Sequence, residues 1–299
     1  MITINGHDIY DIVIDNKNVI RVQDADTLDI MWEKTTPVHS DNYLYFENPN
    51  QYSFNVYINT TQTGNPESGK YATSVQWSKD KSNWTTMTFT PGTSQSIQVG
   101  PNEKVYFRNN NGKWNYMGSN GSYCTSFGVD NYEPFIFNVG GDIRTICKYS
   151  DINNISYSRG CYYNMFSSYA SGRTSYINAG NLFFQPSYMP EYGCQGMFSG
   201  SSIEVAPTIL DSLYLSPNCY EYMFEYCSYL TTAPVLPATT LSYMCYNSMF
   251  HGCTSLTTPP ALPATTLADS CYSNMFSGCT LLSTAPSLPA TTLTVGCYS

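Results

Sequence analysis

The residues of this 299-residue sequence with the widest chemical repertoire are its eleven cysteines. Thiols can ligate metals, close disulfides or attack electrophiles. Nine of them lie between Cys161 and Cys297, and several come as pairs eight residues apart: Cys219 with Cys227, Cys245 with Cys253, Cys271 with Cys279. On one α-helix such a pair stands about 12 Å apart, at a rise of about 1.5 Å per residue, beyond disulfide or shared-metal reach. Neighbouring helices lie about 8–10 Å apart, whereas a disulfide needs Cα atoms within about 7 Å. The expectation is therefore reduced, buried, inert thiols, with no metal and no cofactor.

Other chemical groups are equally dispersed. His7, His39 and His251 fall in three separate segments, which leaves no Cys-His nucleophile and no metal cluster. His251 lies near Cys253, but its counterparts in the neighbouring repeats are Glu225 and Ser277, which marks a free outward position. Beyond residue 218 the carboxylates are Glu221, Glu225 and Asp269. Glu221 and Glu225, at i and i+4, read as a solvated helix face and not as the carboxylate pair of a glycosidase. No catalytic residue is assigned and the chain is expected not to be an enzyme; a capsule polysaccharide depolymerase is the catalytic rival. Binding is better served, since Tyr222, Tyr226 and Tyr229 share one helical segment and Tyr243 follows its strand. Rings with hydroxyls suit carbohydrate or protein surfaces, and edge packing against a neighbouring domain is the alternative role for these four tyrosines.

Charge narrows the partners. The chain carries a formal charge of -9, only 12% charged residues, and no Lys or Arg after Arg173. Nucleic-acid affinity comes mainly from Lys and Arg neutralising phosphates, so nucleic acid is excluded as a partner there, as is a polybasic membrane patch. No stretch approaches the roughly 20 apolar residues of a membrane span, so no membrane insertion is expected. The opening Met-Ile-Thr-Ile-Asn-Gly lacks the regions of a signal peptide.

The elements that must position these groups follow from patterning. Residues 1–40 read as a small β docking segment with strands Ile2–Ile4, Ile9–Ile14, Val19–Val22 and Leu28–Met31. Turn signals separate them at Asn5-Gly6, Asn16-Lys17-Asn18 and Asp24-Ala-Asp26. So few strands need a partner or a neighbouring subunit to pack on, which points to a homo-oligomer. Residues 41–141 read as a β-sandwich, with strands near Tyr52–Ile58, Thr73–Trp77, Thr85–Phe89, Ser96–Val99 and Lys104–Arg108. Trp77 and Trp84 bracket a hairpin and are placed on one face, as packing residues or as an aromatic sugar platform. Residues 142–160 form a linker.

From 161 to 299 the sequence repeats with a period of 26 residues. Coils starting at Cys219, Cys245 and Cys271 share 14 of 26 positions; a looser coil starts at Gly193, an irregular one at Cys161 and a further one at Cys297. Apolar residues at coil positions 1, 2, 5, 6, 9 and 12 fall on one arc at about 100° per residue, which predicts an amphipathic helix. Its core set is Cys219, Met223, Phe224 and Cys227, then Cys245, Met249, Phe250 and Cys253, then Cys271, Met275, Phe276 and Cys279. Asn247, Ser248, His251 and Gly252 are expected outside. The proline-bearing half, such as Thr257 to Pro263, must be extended. Leu256, Leu262 and Leu267 point inward. The expected fold is therefore multidomain: all-β N-terminal parts followed by an α/β leucine-rich-repeat-like solenoid, its last coil incomplete. A cap or further coils are expected beyond Ser299, because repeat arrays end in polar caps.

Met249-Phe250-His-Gly-Cys253-Thr-Ser-Leu256 and Met275-Phe276-Ser-Gly-Cys279-Thr-Leu-Leu282 resemble the BspA-like leucine-rich-repeat surface proteins of gut Bacteroides and their crAss-like phages. The resemblance covers residues 161–299; Ser201, standing in place of the second cysteine of its coil, departs from it. It implies an adhesive surface protein. The reading that follows is a non-enzymatic bacteriophage virion protein, a head or tail fibre or decoration. It would be assembled in the bacterial cytoplasm, docked to other virion proteins through its N-terminal β segment, and would adhere to a host cell-surface glycan or protein. A bacterial cell-surface adhesin is the alternative.

Overall fold

The computed structural model describes residues 2–4, 7–15, 18–24, 30–33, 42–65, 71–109, 113–119, 121–129, 136–148, 155, 157–168, 176–183 and 188–299. The chain divides into two compact units, Met1–Asp41 and Asn42–Ser299.

The first unit holds four strands, β1 (Ile2–Ile4), β2 (His7–Asp15), β3 (Asn18–Asp24) and β4 (Ile30–Glu33), paired antiparallel in chain order. The expected turns at Asn5-Gly6 and Asn16-Lys17, and His39, lie outside the described residues.

In the second unit the strands are β5 (Leu44–Glu47), β6 (Phe54–Gly64), β7 (Ser74–Ser78), β8 (Thr85–Thr88), β9 (Ser94–Val99), β10 (Lys104–Arg108), β11 (Tyr116–Gly118), β12 (Gly121–Val129), β13 (Ile136–Asp142), β14 (Tyr176–Phe183), β15 (Tyr188–Met189), β16 (Ser202–Val205) and β17 (Tyr214–Leu215). A seven-stranded sheet runs β16-β14-β13-β5-β10-β7-β8 and faces a four-stranded sheet, β11-β12-β6-β9. Alternation of buried and half-exposed residues, as in Leu44–Glu47 and Lys104–Arg108, puts Phe46, Val105 and Phe107 inside. There Phe127 of the opposite sheet meets Phe46 at 4.9 Å and Phe107 at 5.1 Å between ring centroids.

The boundary expected at residue 141 falls inside β13. This strand pairs antiparallel with β5 but parallel with β14, which pairs parallel with β16, so the sheet continues into the first repeats. Gly141 makes that junction possible: its φ is +84°, and a Cβ there would lie 2.1 Å from the Tyr43 carbonyl oxygen. Just beyond, the four-residue helix Thr145–Lys148 closes over β5, with Leu44 N–H donating to Thr145 Oγ1 at 2.9 Å.

The repeats are where expectation and structure part. No residue from 188 to 299 is α-helical. The first half of each coil is a run of tight turns, with every fourth residue at positive φ. These are Asn218, Tyr222 and Tyr226, then Met244, Ser248 and Gly252, then Ser270, Asn274 and Gly278, at φ from 51° to 77°. Backbone donors alternate between two uses. Asn247, Met249, His251 and Cys253 donate to the carbonyl three residues back within the coil. Met244, Tyr246, Ser248, Phe250 and Gly252 donate to the next coil at 2.8–3.2 Å. Adjacent coils are thus one backbone hydrogen bond apart, close to strand spacing of about 4.8 Å and not the 8–10 Å of packed helices.

Identical side chains consequently stack in columns. Phe198–Phe224, Phe224–Phe250 and Phe250–Phe276 stand 5.4, 5.6 and 5.9 Å apart with near-parallel rings. Tyr220–Tyr246, Tyr246–Tyr272 and Tyr272–Tyr298 make a second column at 5.7–5.8 Å. The phenylalanine column runs on through Phe166 into Phe46 and Phe127, so one core serves sheets and coils. Beneath the first coil the four-stranded sheet and the segment leading into it take the place of a preceding coil: Asn115, Met117 and Phe127 donate to the carbonyls of Cys161, Arg159 and Met165 at 2.7–2.9 Å.

The expected fold class is therefore corrected. The chain is nearly all β, with 34% strand and 2% helix, its sheets are mixed, and no α/β repeat solenoid is evident among the described residues. The physical cause is a near-degeneracy of period: apolar pairs at positions 1, 2, 5 and 6 suit a repeat of four as well as one of 3.6. The outward assignments change with it. Asn247 and Ser248 are buried, whereas Leu256, Leu262 and Leu267 point inward.

Candidate functional site

Nine of the eleven thiols lie in the coils, Cys124 being in β12 and Cys147 in the short helix, and all eleven are free and buried. Those at coil position 9 act as donors between coils: Cys227, Cys253 and Cys279 Sγ reach the carbonyl oxygens of Phe198, Phe224 and Phe250 at 3.1, 3.0 and 3.0 Å. The helix-based distances that argued against disulfides do not apply, since coils are at strand spacing; what holds these thiols is a repeated hydrogen bond. Burial pushes the Cys227 and Cys245 thiols up to about 12 and that of Cys253 higher still, so thiolate is scarce at any ordinary pH. Alkylation by iodoacetamide at mildly alkaline pH is expected to leave the native chain unmodified and to label all eleven thiols after unfolding. Rapid labelling of several thiols in the native state would contradict the packing.

Core residues Cys219, Met223, Phe224, Cys245, Met249, Phe250 and Cys271 are fully buried, Met275 and Cys279 nearly so, and Phe276 is partly exposed.

The four candidate tyrosines differ in burial and in partners. Tyr222 is half-buried, and burial, with Glu221 and Glu225 nearby, raises its hydroxyl pKa. Tyr226 lies over Gly252 of the next coil, where a Cβ would come within 2.5 Å of its ring. Its hydroxyl shares a 3.2 Å hydrogen bond with His251 Nε2. Tyr229 and Tyr243 are exposed on other parts of the coil surface.

Glu221 is where sequence reasoning failed most. It is 5% exposed, and its carboxylate accepts from Gln195 Nε2 at 2.6 Å, Asn218 Nδ2 at 2.8 Å and Asn247 Nδ2 at 2.7 Å. Position 3 is thus a polar rung within the stack, visible in sequence as Gln195, Glu221 and Asn247 at 26-residue intervals. Glu225, by contrast, is partly exposed, has its pKa raised by burial and accepts from Ser199 Oγ at 3.3 Å. Among the described residues no group of three or more His, Cys, Asp and Glu could hold a metal.

Within the coils, two tyrosines outside the candidate set are more exposed. Tyr188 and Tyr214 are register partners in the β15–β17 pair, 51% and 70% exposed, and Ser216 Oγ donates to Tyr188 Oη at 2.8 Å. The same coil position continues as Thr240 and Thr266, joined by a parallel bridge. The signal lay in position 22 of the repeat, occupied by Tyr, Tyr, Thr and Thr in successive coils.

A groove of 460 Å3 lies against the coil that begins at Cys271, lined by Tyr272, Phe276, Leu288 and Tyr298 among others, with no acidic or imidazole side chain in its walls. Among the described residues no helix is long and apolar enough to cross a membrane. No protein-family model, curated protein or solved structure matches the chain.

Proposed function

We propose that the chain is a non-enzymatic bacteriophage virion protein whose coils form a rigid surface for adhesion to a neutral, hydroxyl-rich host glycan. The observation that carries the adhesive part is the column of exposed residues Tyr188, Tyr214, Thr240 and Thr266 at one coil position, Tyr188 paired in register with Tyr214 and Thr240 with Thr266. No lysine or arginine lies beyond Arg173 to compete for an anionic ligand. Rings offer stacking faces and the hydroxyls offer donors and acceptors, while the backbone ladder fixes their spacing before any ligand arrives, which lowers the entropy cost of binding. The setting on a virion rests on the resemblance of the Met-Phe-x-Gly-Cys segments to surface proteins of gut bacteria and their phages.

Two measurements test the two parts. Binding of the purified chain to host capsule polysaccharide is expected to weaken by about tenfold in Tyr214→Ala, the loss of one well-placed ring. Unchanged binding would remove the column from the account. Mass spectrometry of purified particles is expected to find the protein, and its absence from them would overturn the virion assignment.

A further inference from the structure

The column at coil position 22 has a direction as well as a chemistry. Backbone bonds beside it tie each coil to the next: Ser216 N–H donates to Met189 O at 3.1 Å, Asn218 N–H to Tyr243 O at 3.0 Å and Leu241 N–H to Thr266 O at 2.9 Å. Together with the parallel pairings of Tyr188 with Tyr214 and of Thr240 with Thr266, these bonds place the four residues as rungs on adjacent coils. The interval between rungs is that of neighbouring strands, about 4.8 Å, and the backbone sets it.

The rungs differ along the column. Tyr188 and Tyr214 supply exposed rings at one end, and Thr240 and Thr266 supply exposed hydroxyls at the other. Tyr188 Oη accepts from Ser216 Oγ at 2.8 Å, which orients that ring before a ligand arrives. Each threonine stands on anchored chain, since Ala238 and Leu241 on either side of Thr240, and Ala264 and Leu267 on either side of Thr266, are buried.

Charge narrows the ligand. The residues next to the rungs, from Ser187 and Met189 to Thr265 and Leu267, carry no charge, and no lysine or arginine follows Arg173. A carboxylated or sulfated chain would find no cation in the coils from Gly193 onward, whereas a neutral polyol costs less to bring out of water and can use both rings and hydroxyls.

Spacing then narrows the linkage. Successive rings of a fully extended β-1,4-linked glycan advance by nearly one strand spacing and form a flat ribbon, so one sugar can meet each rung. An α-1,4 linkage curls the chain and carries it off the column.

The geometry points to a linear, neutral β-1,4-linked glycan lying along the stack with one sugar per coil. Two of its rings rest on Tyr188 and Tyr214, and the following sugars hydrogen-bond to the hydroxyls of Thr240 and Thr266. This inference rests on the adhesive reading of the column and adds the ligand's linkage and direction.

The test is calorimetric titration of the full chain with cellobiose, cellotetraose and maltotetraose. Cellotetraose is expected to bind at least about tenfold more tightly than cellobiose, as two further rungs engage, and at least about tenfold more tightly than maltotetraose. Thr240→Val with Thr266→Val removes both hydroxyls at exposed positions and keeps the branched shape. That pair is expected to bring cellotetraose to within about twofold of cellobiose and to leave cellobiose unchanged. Absence of cellotetraose binding, equal binding of cellobiose and cellotetraose, equal binding of maltotetraose, or cellotetraose binding unaltered in the double valine variant would each overturn the inference. Capsule binding that Tyr214→Ala weakens would survive any of these results and leave the adhesive reading standing with another linkage or direction.

Discussion

Phe250→Ala is expected to destabilise the second unit by about 3–5 kcal/mol, the range for emptying a fully buried aromatic site. Phe250 is completely enclosed, stacked on Phe224 at 5.6 Å and Phe276 at 5.9 Å. Its N–H donates to Met275 O at 3.0 Å, and its carbonyl receives both Cys253 N–H at 3.1 Å and Cys279 Sγ at 3.0 Å. Removing the ring opens a gap in the column that neighbours tied by backbone bonds cannot close. Phe276→Ala is expected to cost much less, about 1–2 kcal/mol, because that ring is partly exposed and stacks on one described neighbour, Phe250. Urea unfolding of both variants checks the ordering, and equal costs would show that the rings do not behave as a column.

How much of this was legible can be judged from the same coil. Cys245, Tyr246, Met249, Phe250, Cys253 and Leu256 declared themselves as buried by position alone. What patterning hid was the backbone between them. Over nine residues a repeat of four and one of 3.6 drift apart by less than half a residue per turn, so burial does not discriminate between them. The discriminating sign was the residue at every fourth position: Gly252, Gly278, Asn218 and Asn274 tolerate left-handed φ, and a glycine inside a helix costs about 1 kcal/mol. Tyr222, Tyr226 and Met244 blurred that sign, since such residues pay about 1–3 kcal/mol for positive φ and adopt it only where the stack enforces it. Glu221 was misplaced for the same reason, as a helix would have sent it to solvent. The alternation of Lys104, Tyr106 and Arg108 was visible in the sequence, but the packing of Arg108 against Trp84 and of Lys104 against Tyr45 needed the register between β5, β10 and β7, which no single strand reveals.

Asp142→Ala carries the other large effect. Asp142 and Arg144 lie at the end of β13, with side chains 3% and 8% exposed. The carboxylate accepts from Arg144 Nη2 at 2.7 Å, from Nε at 3.0 and 3.1 Å, and from the Arg144 N–H at 2.9 Å. Truncating the aspartate strips a buried guanidinium of its charged acceptor, with an expected loss of about 3–5 kcal/mol. Replacing both partners by apolar residues, Asp142→Leu with Arg144→Met, is expected to cost less than the single change, because no orphaned charge remains. Thermal or urea unfolding of the two variants compares them directly. A double variant as unstable as Asp142→Ala would mean that backbone distortion at Gly141, and not the orphaned charge, sets the loss.

The central claim is that the repeats are ladders of turns and not stacked helices, and residue-specific backbone chemical shifts and couplings from NMR test it most directly. The structure predicts breaks in any helical signature at Asn218, Tyr222 and Tyr226, and again at Met244, Ser248 and Gly252, where positive φ gives a distinct coupling pattern. Uninterrupted helical shifts from Cys219 to Leu230 and from Cys245 to Leu256 would contradict it.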